Sequence, residues 1–161
     1  MSGDTALIGR WSALDRLHHE IETRVERRLH QYLHLQASEF YALTAVGQAH
    51  RATARQLFLI DVADRIGLSQ SATSRLVARL RERGLVTTSV AAHDRRNVEV
   101  RLTPAGHEVL RRGAPILHRA VCEAVQDAGT RGGGDIDGNL LHYLREPCDP
   151  VARPRTDRGV S

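Results

Sequence analysis

The side chains with the plainest chemistry in this chain fall in two groups. One is Ser69, Gln70, Ser71, Ser74, Arg75 and Arg79, all expected to contact DNA; the other is the charged triplet Asp94, Arg95 and Arg96, expected to do the same. A glutamine amide pairs two-point with adenine, and the planar arginine fork pairs two-point with guanine or phosphate. Serine hydroxyls donate or accept at either target. Neither group resembles a hydrolytic constellation. The sequence has no nucleophile motif, no glycine-rich phosphate loop and no paired metal motif, and Gly132-Gly133-Gly134 follows no strand. An enzyme is therefore not expected, and no cofactor or metal is called for. A nucleic acid is the partner that such groups suit.

These side chains need elements to carry them. Between Ser69 and Arg83 the spacing predicts a helix, with Ser69 as its N-cap and Gly84 as its stop. Thr73, Leu76, Val77 and Leu80 gather on one side, and Ser71, Ser74, Arg75, Ala78 and Glu82 lie opposite. Small residues on the outer side let such a helix sink into a major groove about 12 Å wide. A short helix, Asp61 to Ile66, comes before it and ends at Gly67, which completes a helix-turn-helix order. Downstream, Val98, Val100 and Leu102 alternate with Glu99 and Arg101, the period of a half-buried strand, and Val86 to Val90 supplies its partner. The tip of that hairpin carries Asp94, Arg95 and Arg96. An arginine there is placed to enter an adjacent minor groove, with Asp94 orienting it or pairing with Arg79. Alone, the helix is an ordinary surface helix and the triplet a solvated turn. In succession they spell a winged helix-turn-helix.

The remaining chain reads as support. Leu14, Leu17, Ile21, Val25, Leu29, Tyr32 and Leu33 recur at three- and four-residue steps, predicting one long amphipathic helix from Trp11 to Leu35. It needs a partner surface. Ser38 is the expected cap of a second helix, Glu39 to about Ala49, with Phe40, Leu43 and Val46 inward. Residues 47–56 read as a polar, arginine-rich connection, and Leu57 to Ile60 as one small strand. Thr103 caps a helix with Pro104 at its first position, running to about Ala128 but kinked or broken near Gly113 by Pro115. Asp135 is the expected cap of a short last helix through Leu140, Leu141 and Leu144. Residues 146–161 read as a disordered tail. The fold expected is mainly α with a small β-hairpin wing. A winged helix-turn-helix lobe spans 38–103, a dimerisation helix 1–37, and further dimerisation helices 104–145.

Composition sets the bounds. Hydrophobic residues reach 41%, enough for a core, but aromatics are only 4%, so burying long helices against a second copy is plausible. All 23 basic side chains are arginine, which fits either a GC-rich coding bias or phosphate chemistry. A net charge of +4 is modest for a nucleic-acid binder, so placement of charge must carry the argument. Residues 1–10 lack a charged start followed by an apolar run, and no stretch reaches about 18 apolar residues. Two distant cysteines suggest no disulfide framework, and a cytoplasmic protein with no membrane partner is expected.

The run DVADRIGLSQSATSRLVARLRERGLV, followed by DRRNVEVRLTPAG, resembles the MarR-type regulators, winged-helix transcription factors of bacteria and archaea. The resemblance is specific from about 61 to 106 and loose elsewhere. It implies a homodimer built from the first and last helices, binding double-stranded DNA at an inverted repeat, most often as a repressor relieved by a ligand. By position, Gln70, Ser71, Ser74 and Arg75 would face the major groove, and Arg96 would be the main minor-groove arginine. Ile60 departs from the pattern, standing where a capping Ser or Thr is common, so a less well anchored short helix is expected.

The resemblance also implies a pocket for a small aromatic or acidic ligand between the dimerisation helices and the lobe. Trp11, Arg16, His18 and His107 are the candidates for its lining, although Trp11 reads better as a packing anchor. His30 and His34 lie four apart on the first helix and could face one metal, with Glu26 nearby, but two partly exposed polar positions explain them as well. His107 and His118, eleven apart, share a face and no more. Cys122 and Cys148 sit beside no evident activating cluster. The alternatives are a winged-helix protein-interaction module, or a metal- or redox-sensing regulator of the same type.

Overall fold

The computed structural model describes residues 2–53, 57–91 and 94–130, and side chains over 5–49, 57–90 and 98–130. The elements run α1 (Ser2–Leu33), α2 (Ala37–Thr53), β1 (Leu57–Phe58), α3 (Leu59–Ile66), α4 (Gln70–Glu82), β2 (Val86–Ala91), β3 (Asp94–Leu102) and α5 (Pro104–Thr130). The fold is mainly α with a small antiparallel sheet, as the patterning predicts. The expected last helix, the glycine link and the tail lie outside the described residues. Among the described residues, no helix is long and apolar enough to cross a membrane.

The core forms where α2 is packed on by its neighbours. Phe40, Leu43 and Val46 of α2 meet Val25 and Leu29 of α1, Val62 of α3, Leu76, Val77 and Leu80 of α4, and Val86 and Val100 of the sheet. This central seat explains why residues 47–53 are helical and not a polar connection. Ala42, Leu43, Ala45, Val46, Gly47 and Ala49 are all buried, so α2 has no single apolar stripe to read. Its start also differs. Ser38 lies inside α2, and the first free N–H groups go to carboxylates instead: Gln36 N donates to Glu39 at 3.0 Å and Ala37 N to Glu26 at 2.5 Å.

The small strand expected over Leu57 to Ile60 is cut to two residues because α3 starts at Leu59. Phe58 has no side-chain acceptor, and the Asp61 carboxylate accepts from Phe58 N at 3.0 Å in its place. Ile60 is thus inside α3, and the short helix is anchored without a Ser or Thr cap. Strand β3 is central in the order β1-β3-β2, with Leu57 opposite Val100 and Val86 opposite Leu102. Glu99, expected on the open face, is buried, and its carboxylate is satisfied by Ser89 Oγ at 3.2 Å and Arg101 Nε at 2.6 Å.

Helices α1 and α5 run antiparallel. Arg24 pairs with Asp127 at 2.7 Å and Arg28 with Glu123 at 2.6 Å, while Leu17 packs on Val125. Helix α1 begins well before Trp11 and ends at Leu33, with His34 turning the chain in a left-handed conformation at φ 53°. Helix α5 passes through Pro115 unbroken. Pro115 is exposed, and so is Arg111, whose carbonyl loses its helical donor to the proline; water can satisfy it. Gly113 is required by packing, since a Cβ there would lie 2.1 Å from Phe40 Cε2. Thr103 joins the lobe to α5. Its hydroxyl donates to Gly84 O at 2.7 Å and accepts from Gly106 N at 3.1 Å, and its own N–H donates to Leu85 O at 3.1 Å.

Candidate nucleic-acid interface

Helix α4 is fixed from within and left open outside. Ser69 is extended and its hydroxyl accepts from Ala72 N at 3.3 Å, so the N-cap falls where the sequence places it. Gly67 and Gly84 bracket the helix at φ 68° and 69°, left-handed values that glycine adopts without strain. Thr73, Leu76, Val77 and Leu80 are buried, whereas Ser69, Gln70, Ser71, Ser74 and Arg75 are all exposed. Five hydrogen-bonding side chains therefore share one open helical surface, led by an N-terminus whose partial positive charge favours anions.

Thr73 breaks the apolar pattern of the inner side. Its hydroxyl is fully buried and, among the described residues, lacks a hydrogen-bond partner. Thr73→Val is expected to raise stability by about 1 kcal/mol, because it removes an unsatisfied polar group at constant shape. An unchanged or lower urea midpoint would count against this placement.

The hairpin of β2 and β3 stands beside α4. Its pairing is regular from Val86 opposite Leu102 to Val90 opposite Val98, then jumps to Ala91 opposite Asp94. Arg95 and Arg96 occupy the backbone inside that jump, at the tip end of β3; their side chains and that of Asp94 lie outside the described ones. Arg79 turns toward α2, where its Nε meets Glu39 at 3.4 Å and its Nη2 meets Gln36 at 3.4 Å. Arg101, which sequence reasoning passed over, is an exposed cation on β3 held by Glu99.

A capped helix with a polar outer side, preceded by α3 and followed by an arginine-bearing hairpin, is a winged helix-turn-helix. The family model described as MarR family matches residues 35–97, the stretch that contains this arrangement from α2 to the wing. The winged lobe is a MarR-family domain. Solved structures extend the likeness beyond the MarR-family lobe. The transcriptional regulator BldR from Sulfolobus solfataricus superposes with a TM-score of 0.70 at 23% identity, over 89% of this chain and 95% of that one. Sco3205, a MarR family transcriptional regulator from Streptomyces coelicolor solved in complex with DNA, gives 0.65 at 26% identity, over 83% and 78%. BpsR from Bordetella bronchiseptica, whose DNA binding is regulated by 6-hydroxynicotinic acid, gives 0.61 at 21%, over 82% and 87%. The proteins this chain is similar to are transcriptional regulators.

Outside the MarR-family lobe, the four candidates for a ligand pocket are exposed and not brought together within one chain. Trp11, Arg16 and His18 sit on the outer half of α1, beyond the Arg24–Asp127 pair. His107 lies 20 residues back from Asp127 along α5, about 30 Å. Trp11 is 64% exposed and so is no packing anchor in a single chain. His18 faces Glu22 at 4.0 Å, and Glu22 accepts from Tyr41 Oη at 2.8 Å. Burial first, then that carboxylate, push the Tyr41 phenol far above its ordinary value and keep it a donor.

His34 is outside α1, so the expected helical pairing with His30 becomes an edge-to-face contact with ring centroids 6.2 Å apart. Glu26 is engaged with Ala37 N. Among the described residues, no three His, Cys, Asp or Glu converge as metal ligands. Cys122 does have a neighbour that the sequence reading missed: His118, one turn earlier, with Nε2 3.7 Å from Sγ.

Proposed function

We propose that this chain is a sequence-specific DNA-binding transcriptional regulator. It acts as a homodimer on an inverted repeat, and a small aromatic or acidic ligand relieves repression. The observation that carries the reading is the exposed set Gln70, Ser71, Ser74 and Arg75 on a helix whose other side is sealed into the core. Those residues read base edges, Ser69 and the helix N-terminus meet phosphate, and Arg95 and Arg96 of the wing reach the neighbouring minor groove. Arg79, turned toward Glu39, is left out of the contact set.

Residues 38–103 form the reading lobe, and 1–37 with 104–145 hold the dimer together. Leu7, Ile8, Trp11 and Leu14 support the dimer, since all are exposed on α1 in a single chain. The likeness to a regulator solved with DNA supports the DNA target, and the likeness to one regulated by 6-hydroxynicotinic acid supports a ligand of that chemistry. The ligand favours a dimer whose lobe spacing no longer fits the operator.

Selection of bound fragments from random DNA tests the proposal. Enrichment of an inverted repeat with half-sites about one helical turn apart, roughly 34 Å, is expected. Enrichment without any repeat would turn the reading toward a winged-helix protein-interaction module.

A further inference from the structure

Glu39 is a buried carboxylate that the DNA contacts do not use. Its side chain is 6% exposed, yet both cations facing it reach solvent, Arg79 at 48% and Arg83 at 37%. Burying an ionised carboxylate is costly unless its oxygens are filled. Three donors fill them: Gln36 N at 3.0 Å, Arg79 Nε at 3.4 Å and Arg83 Nη1 at 3.3 Å. The far ends of the same arginines meet the turn between α1 and α2, Arg79 at Gln36 Oε1 and Arg83 at Leu33 O. One acid thus ties the outer end of α4 to the corner where His34 turns the chain.

The charge arithmetic gives this tie a second consequence. An arginine on a groove-facing helix will bind any phosphate it can reach, and phosphate contacts add affinity without sequence information. Two such cations facing one carboxylate leave less charge for that purpose. The separations of 3.3–3.4 Å are longer than a tight charge-assisted pair, so the acid restrains the arginines without locking them.

We infer that Glu39 is a positioning residue for DNA discrimination: it draws Arg79 and Arg83 off the phosphate backbone and sets α4 on its base-reading side. This rests on the DNA reading above. The role is separable from simple packing, because it predicts a change in counterion release on DNA of any sequence.

The test compares native protein with Glu39→Gln on the selected operator and on a duplex of unrelated sequence, by anisotropy titration across a salt series. The amide keeps the length and still accepts from Gln36 N, but loses the charge. On unrelated DNA the slope of log affinity against log salt is expected to steepen by about one unit for each arginine that gains a phosphate, so by about two to four units for the dimer, which carries two such arginines per subunit. Affinity there rises about fivefold, and the preference for the operator falls by a similar factor. Adding Arg79→Gln and Arg83→Gln to the variant returns the slope to its native value. A variant that loses operator affinity while its slope on unrelated DNA stays native shows Glu39 to be purely structural and overturns the inference alone. Native protein that binds neither duplex removes the DNA reading, and the inference with it. If circular dichroism shows Glu39→Gln unfolded, Arg79→Gln with Arg83→Gln reports on the same tie from its exposed side. Weaker operator binding with an unchanged slope on unrelated DNA is then expected. A slope flatter by about four units for the dimer would place both arginines of each subunit already on phosphate and overturn the proposal.

Discussion

Gly106→Ala is expected to destabilise the folded chain by about 3 kcal/mol, the upper end of what overpacking costs. A Cβ at this position would lie 2.2 Å from the Leu85 carbonyl oxygen and 3.2 Å from Leu102 Cδ2. The nearer atom is backbone and cannot swing aside. Leu85 O is also held as the acceptor of Thr103 N, so moving it strains the joint between lobe and α5. Alanine's better helix propensity returns about 1 kcal/mol, too little to change the sign. Gly9→Ala is the matched control, because a Cβ at Gly9 meets nothing within 4 Å. Urea unfolding of the two variants checks the argument. Equal midpoints would mean that α5 does not pack against the Leu85 corner as described.

The second large effect is functional. Arg96→Ala is expected to weaken operator binding at least about tenfold while leaving the dimer intact, a loss of roughly 1.4 kcal/mol. Arg96 lies on the irregular, tip end of β3, away from the regular pairs that join the wing to the core. A minor-groove arginine gains from the enhanced negative potential of a narrow groove, and the loss is therefore largest on operators with A-tract flanks. Gel-shift titration of matched operators decides it. Unchanged affinity would sink the wing assignment.

Legibility in the sequence followed how local the physics is. Helix α4 was readable from its cap at Ser69, its stop at Gly84 and four inward residues one turn apart, and the structure buries all four. The exposed set from Ser69 to Arg75 follows from the same wheel. The end of helix α2 is hard to read because burial on several sides over Ala42 to Ala49 removes the periodicity that marks a surface helix. Pro115 does not end α5, because the carbonyl it frees, on exposed Arg111, is open to water. Glu39 and Arg101 escaped for another reason. The partners of Glu39 lie 40 and 44 residues away, so no window along the chain pairs them. Burial of Glu99, which holds Arg101, depends on the two-residue strand β1 that lies across it, a contact set by topology.

Thr103 carries a consequence for how such a protein lets go of DNA. Through three hydrogen bonds it fastens the end of α4, the start of β2 and the first turn of α5 to the close of β3. The two surfaces meant for neighbouring grooves therefore share a pivot. A motion delivered along α5 through this joint would reach α4 and the hairpin together. Release on the proposed dimer is then an error of phase between two rigid reading heads, arriving in one step and not as a peeling of single contacts.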